Sequence, residues 1–214
     1  MFLAVVLFAV AIPNVFAAEP QNNVEISVES VEPEGLVEKE AFEELPLTLA
    51  AAYDVSYLTL APGADATQLT FSWHTASRTS APVVSIWKSG EEAMEFTGTS
   101  SASTSSISTM YYNDVTATGL KADAVYLYQV GDGSGNWSDE YSTKTGNPTA
   151  FSYIVVGDPQ IGSSNATTDT NAWVNTMNRI QQYFQNIAFL AGTGDEIETS
   201  RNLSHYTGFF PRLR

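Results

Sequence analysis

The sequence has 214 residues, 43% of them hydrophobic, no cysteine and a formal net charge of −15. That is enough chain for one well-buried core and part of a second. The acidity excludes an electrostatic grip on nucleic acid, which needs a basic face, and the absence of cysteine leaves stability to packing rather than to disulfides.

Phe2 to Ile12 is an unbroken apolar run, followed by Pro13, Asn14 and the small-residue ending Val15-Phe16-Ala17. Residues 1–17 therefore read as a signal peptide cleaved after Ala17. The run is shorter than the ~20 residues a helix needs to cross a bilayer. An uncleaved anchor or a buried strand is the alternative. Cleavage implies a secreted, periplasmic or cell-surface protein with no membrane attachment afterwards. Residues 18–46 carry nine glutamates (Glu19, Glu25, Glu29, Glu32, Glu34, Glu38, Glu40, Glu43 and Glu44) against the single Lys39. Such charge density opposes a stable core, so this stretch reads as a disordered acidic leader. A calcium or partner site is the alternative, although the spacing matches no calcium loop.

The signal from about Tyr53 to Thr145 is all β. Leu69, Phe71 and Trp73 alternate with Thr70, Ser72 and His74, the two-residue period of a strand with one apolar face. Val83 to Trp87 and Met94 to Phe96 predict further strands, and Thr99 to Ser106 a polar loop. Met110 to Thr118 and Val125 to Val130 predict two more. Asp132-Gly133-Ser134-Gly135 predicts a hairpin turn, with Trp137 and Tyr141 on the closing strand. Short strands at this spacing indicate a sandwich. Leu120, six positions before Tyr126 at the opening of a strand, resembles the tyrosine corner of fibronectin type III domains, with Ala122 where that family usually has proline. Trp73 then takes the place of the buried strand tryptophan. Both aromatic residues are read as structural rather than as carbohydrate platforms.

From Phe151 the pattern becomes α/β. Phe151 to Val156 is a short apolar strand ending in Gly157-Asp158-Pro159-Gln160. Thr167 to Asp169 offer helix caps, and Trp173, Met177, Ile180, Phe184 and Ile187 recur on one helical face. Ala188 to Ala191 is a second strand, ending in Gly192-Thr193-Gly194-Asp195. The helix between them is a crossover of the length that parallel pairing requires. Asp158 and Asp195 thus each follow a glycine at the carboxyl end of a buried strand. That is the sheet edge where open α/β folds bind ligands, and hard oxygen ligands there suit metal cations. Neither a G-x-G-x-x-G nor a phosphate-loop motif is present, which argues against nucleotide binding.

The order of a fibronectin-type-III-like module, Phe-Ser-Tyr-Ile-Val-Val-Gly-Asp-Pro-Gln, a helix and Phe-Leu-Ala-Gly-Thr-Gly-Asp resembles the purple acid phosphatases and their calcineurin-like metallophosphoesterase relatives. Trp73 to Thr75, Thr118-Gly119-Leu120 and Val130-Gly131-Asp132 also resemble their amino-terminal module. The resemblance implies residues 47–148 as that all-β module and residues 149–214 as the first βαβ unit of an incomplete α/β metallophosphoesterase domain. It implies Asp158 as ligand of a first metal, Asp195 as bridge between two, and Gln160, where many relatives have histidine, as a weak amide ligand. The metals would be Fe, Zn or Mn, dinuclear only in a complete protein, and the substrate a phosphate ester. Glu198 stands where purple enzymes have the iron-binding tyrosine, so no colour is expected. The Gly-Asn-His motif and later histidines of the family do not follow before Arg214, so the chain reads as an incomplete protein without catalytic residues of its own. A two-strand sheet would leave an unpaired edge and an uncovered apolar face. The two histidines do not replace the missing ligands: His74 is expected on a solvated strand face and His205 on a surface helix. The competing reading is a non-catalytic extracellular binding module, the sandwich alone being functional. Asn136, Asn165 and Asn202 begin glycosylation triplets, a pattern that chance supplies freely.

Overall fold

The computed structural model describes residues 8–10, 53–103, 110–184, 186–200 and 202–210. The chain divides into two compact units, one of residues 1–15 with 51–214 and one of residues 16–50. The second unit, and the acidic leader with it, lies outside the described residues.

Two four-stranded antiparallel sheets form the sandwich. One has the order β2 (Ser56–Pro62), β3 (Leu69–Thr75), β7 (Tyr111–Ala117), β6 (Thr99–Ala102); the other β5 (Met94–Thr97), β4 (Val83–Trp87), β8 (Val125–Gly131), β9 (Tyr141–Lys144). Strand β3 buries alternate residues along its whole length, as the alternation of Leu69, Phe71 and Trp73 predicts. Those three residues pack with Val84 and Ile86 of β4, Val115 of β7 and Tyr126, Tyr128 and Val130 of β8. Trp73 is fully enclosed, and its indole N–H donates to the Tyr53 hydroxyl at 3.2 Å.

Tyr126 forms the corner that Leu120 announces. The Lys121 amide donates to its phenol oxygen at 2.8 Å, and Leu120 and Tyr126 are both buried. The residue that braces this corner is Thr145. Its hydroxyl donates to the Lys121 carbonyl at 2.7 Å and accepts from the Ala124 amide at 2.9 Å, tying both flanks of Ala122.

Two details differ from the sequence reading. Thr99 to Ala102 is a strand rather than a loop. It is an edge strand held by its backbone ladder to β7, which needs no apolar side chains. Gly98, between β5 and β6, lies so close to the Asp114 carbonyl that a Cβ would overlap it, and there the chain passes from one sheet to the other. Trp137 makes an isolated bridge to Gly131 instead of lying on the closing strand, because its ring packs where Gly131 has no side chain. The intervening turn is as predicted: Gly133 and Gly135 have φ of 74° and 96°, and the Asp132 carboxylate accepts from the Ser134 and Asn136 amides.

The second core belongs to the α/β segment. Strands β10 (Ser152–Val156) and β11 (Ile187–Gly192) pair in parallel around helix α1 (Ala166–Tyr183), whose Trp173, Met177 and Ile180 pack with Ile161 and Leu190. The helix cap is Asn165, two residues before the predicted group, and Phe184 is an exposed terminating residue rather than part of the buried face. A second helix, α2 (Leu203–Phe209), follows.

The sheet order is β1–β11–β10, where β1 (Phe8–Val10) pairs antiparallel with β11. Three residues of the apolar run near the amino terminus thus lie in this sheet. Strand β10 is not the buried strand expected. It alternates, and Phe151, Tyr153 and Val155 remain 58%, 52% and 58% exposed. This is the uncovered apolar face expected of a small sheet, because α1 covers only the opposite one.

Candidate functional site

The carboxyl ends of β10 and β11 run on into two loops that stay laced together. Thr193 N–H donates to the Val156 carbonyl at 2.9 Å, Asp158 N–H to Gly194 at 3.1 Å, Gln160 N–H to Asp195 at 2.9 Å and Ile161 N–H to Glu196 at 3.2 Å. Glu198 N–H returns a bond to Ile161 at 3.1 Å, and Ile161 and Ile197 form a parallel bridge. The parallel ladder therefore continues past the strands. It sets the backbone of Asp158 beside that of Gly194-Asp195, and Gln160 beside Asp195.

All three predicted site residues have left-handed backbone conformations. Asp158 has φ of 57°, Asp195 of 54° and Gln160 of 37°. Aspartate enters this region more readily than most residues; glutamine there is strained, and three such residues in two paired loops are a recognised mark of functional sites. Gly194, at φ of 111°, adopts a conformation that only glycine takes easily. Gly157 serves differently: a Cβ there would press on the Thr193 hydroxyl, so its bareness lets the two loops approach. Asp158, Asp195 and Glu198 are exposed, and Gln160 is partly buried.

The loop after Gln160 is pinned by Asp169 from the first turn of α1. Its carboxylate accepts from the amides of Gly162 at 2.9 Å and Ser164 at 3.1 Å and from the Ser164 hydroxyl at 2.6 Å. These bonds, the Ser164 hydroxyl first, hold the Asp169 pKa below the ordinary carboxylate value. The pattern alone suggested a capping role for Asp169; the tertiary turn gives it this one.

Both histidines depart from expectation. His205 is buried, its imidazole filling the space beside Gly162 that a Cβ would occupy, and its Nδ1 has no hydrogen-bond partner. His74 is half covered, stacked near Tyr206 of α2 and edge-on to Tyr57 of β2. Neither contact is local in sequence, so strand and helix periodicity alone placed both residues at the surface. Glu196 was not singled out from the sequence either. Its Oε1 is buried without a hydrogen-bond partner, close to where Gly192 lacks a side chain.

The donor set does not amount to a metal centre. Among the described residues no three His, Cys, Asp or Glu side chains come together in a way that could hold a cation. What the loops offer is two aspartates and one amide on adjoining backbones. A separate cleft of about 280 Å³ lies on the sandwich, lined by Tyr53, Asp54, Arg78 and Asp132 among others, and includes none of the loop residues.

Comparison with known proteins bears on the fold. Residues 55–145 match the family described as "Purple acid Phosphatase, N-terminal domain". Among solved structures, a purple acid phosphatase from yellow lupin (Lupinus luteus) seeds superposes with a TM-score of 0.58 at 16% identity, over 75% of this chain. This chain spans 33% of that one, about a third of its length. No curated protein matches the sequence. Over residues 55–145 the chain is thus similar to that amino-terminal domain, and the strands and helix that follow form a parallel βαβ unit.

Proposed function

We propose that this chain is the amino-terminal part of an exported metal-dependent phosphoesterase, whose complete form hydrolyses phosphate esters. The observation that carries this reading is the pair of Gly-Asp loops at the carboxyl ends of parallel β10 and β11, laced by backbone bonds, with Asp158 and Asp195 both at positive φ. A site of this class uses two cations about 3.5–4 Å apart. Asp158 and Asp195 are the residues we assign to it, with Gln160 at its margin. The remaining ligands have to come from beyond these loops, because the residues described here do not complete a site. Export rests on the apolar run and small-residue ending of residues 1–17.

The experiment pairs metal content with turnover of an aryl phosphate. This chain alone should show no metal-dependent turnover. If the reading frame continues past Arg214, the longer product should be colourless, because Glu198 replaces the phenolate that gives iron its charge-transfer band. It should also lose one metal and most activity in Asp195→Asn. Two bound metals and full activity in that variant would place the site elsewhere. Metal-dependent turnover by the short chain would overturn the need for outside ligands.

A further inference from the structure

Helix α2 is held from two sides. On one side, Tyr206 lies parallel to the His74 ring, with centroids 6.3 Å apart and 9° between planes, and meets Tyr57 edge-on at 5.5 Å. Tyr57 also meets His74 at 5.2 Å and Phe210 at 6.4 Å, and its hydroxyl shares a 2.8 Å hydrogen bond with the hydroxyl of Thr207. Tyr57 makes these contacts from a φ of 53°, where the register of β2 against β3 shifts. A bulky residue held at positive φ costs free energy. The contacts with α2 are what the distorted strand makes in return.

On the other side, α2 grips the loop that follows Gln160. His205 packs on Gly162, and Gly208 fits against Ile161 and Thr170. The Trp173 indole N–H donates to the Phe209 carbonyl at 2.9 Å, and their rings stack at 5.3 Å. Ile161 and Gly162 belong to the same loop as Asp158 and Gln160. We propose that α2 ties the sandwich to the Asp158 loop, with His74 as an acid-sensitive anchor whose protonation loosens the helix and, through it, the loop. The inference concerns the fold and does not depend on the phosphoesterase reading.

The groups facing His74 are Tyr57 from β2, Tyr206 from α2 and Asp114 from β7, with Tyr112 as its register partner on β7. Burial holds the His74 pKa below its usual value and outweighs the charge of Asp114, which acts the other way. Burial, aided by Tyr57, pushes the Tyr206 phenol up, so it stays neutral in acid. Burial is the largest of the effects on His74 and decides the balance. The docked form therefore binds protons less readily than an open form. Docking is fully present above the open-form value of about 6.5, and weakens as pH falls from there through the lower docked value.

The test is amide hydrogen exchange on the full chain at about pH 8 and about pH 5, compared as protection factors. In the wild type, Tyr206, Ile161 and Gly162 should lose protection together at the lower pH while Trp73 and Val115 in the sandwich keep theirs. His74→Phe keeps an aromatic ring without the charge and should hold that protection at both pH values. His74→Gln, uncharged and polar, gives the same readout should the phenylalanine variant fail to fold. Equal pH dependence in wild type and either variant overturns the anchor. Loss at Tyr206 with Ile161 and Gly162 still protected overturns the tie.

Discussion

Tyr126 fastens a corner with one hydroxyl, accepting from the Lys121 amide, while Thr145 binds the Lys121 carbonyl and the Ala124 amide. The corner is thus closed by two side chains where a proline would have stiffened the backbone at position 122. Removing the phenol oxygen in Tyr126→Phe leaves the Lys121 amide without its partner but keeps the ring in the core. The expected cost is about 1 kcal/mol, read from denaturant unfolding. Trp73→Ala removes a wholly enclosed side chain and should cost ~3–5 kcal/mol, enough to threaten a small domain. If the two variants are equally stable, the core is not organised around Trp73.

At the scale of the elements, periodicity predicted strands such as β3, β4, β7 and β8, and did not single out β2 or β6. Strand β6, Thr-Ser-Ser-Ala, has no large apolar side chain and owes its place to hydrogen bonds with β7, which no side-chain pattern records. Helix α1 shows the converse. Its buried face follows from Trp173, Met177 and Ile180, whereas its start depends on which of several capping residues the loop delivers. Asn165 is that residue, accepting from the amides of Thr167 and Thr168 at 3.1 and 3.2 Å. Asn165→Ala should cost ~1 kcal/mol and Asn165→Asp much less. Hydrogen exchange in the first turn of α1 measures both, and equal values for the two variants would remove the cap from the account.

For the molecule as a whole, the uneven covering of the small sheet has a consequence in solution. Phe151, Tyr153, Val155 and the neighbouring Phe189 form an apolar surface along β10 and β11, with Tyr153 and Phe189 stacked at 5.2 Å. Strand β10 is also the edge of its sheet. An apolar face beside an open edge promotes self-association, against which the net charge of −15 works. Val155→Lys should reduce light scattering at high protein concentration and leave stability within about 0.5 kcal/mol, since it alters an exposed position. A drop in the thermal midpoint would show that the face is covered in solution.

The sequence by itself determined the two-part architecture, the sandwich core around Trp73 and Tyr126, and the positions of Asp158 and Asp195 after parallel strands. Each of these depends on local periodicity or on glycine-marked strand ends, which are physical properties of short segments. Only the tertiary structure decided that Asp158, Gln160 and Asp195 share one hydrogen-bonded pair of loops in strained conformations. The same holds for the burial of His205 beneath Gly162 and for the stacking of His74 near Tyr206. Those contacts join residues far apart in the chain, and the space that receives each side chain is made by a different element, so no pattern within a single segment could contain them.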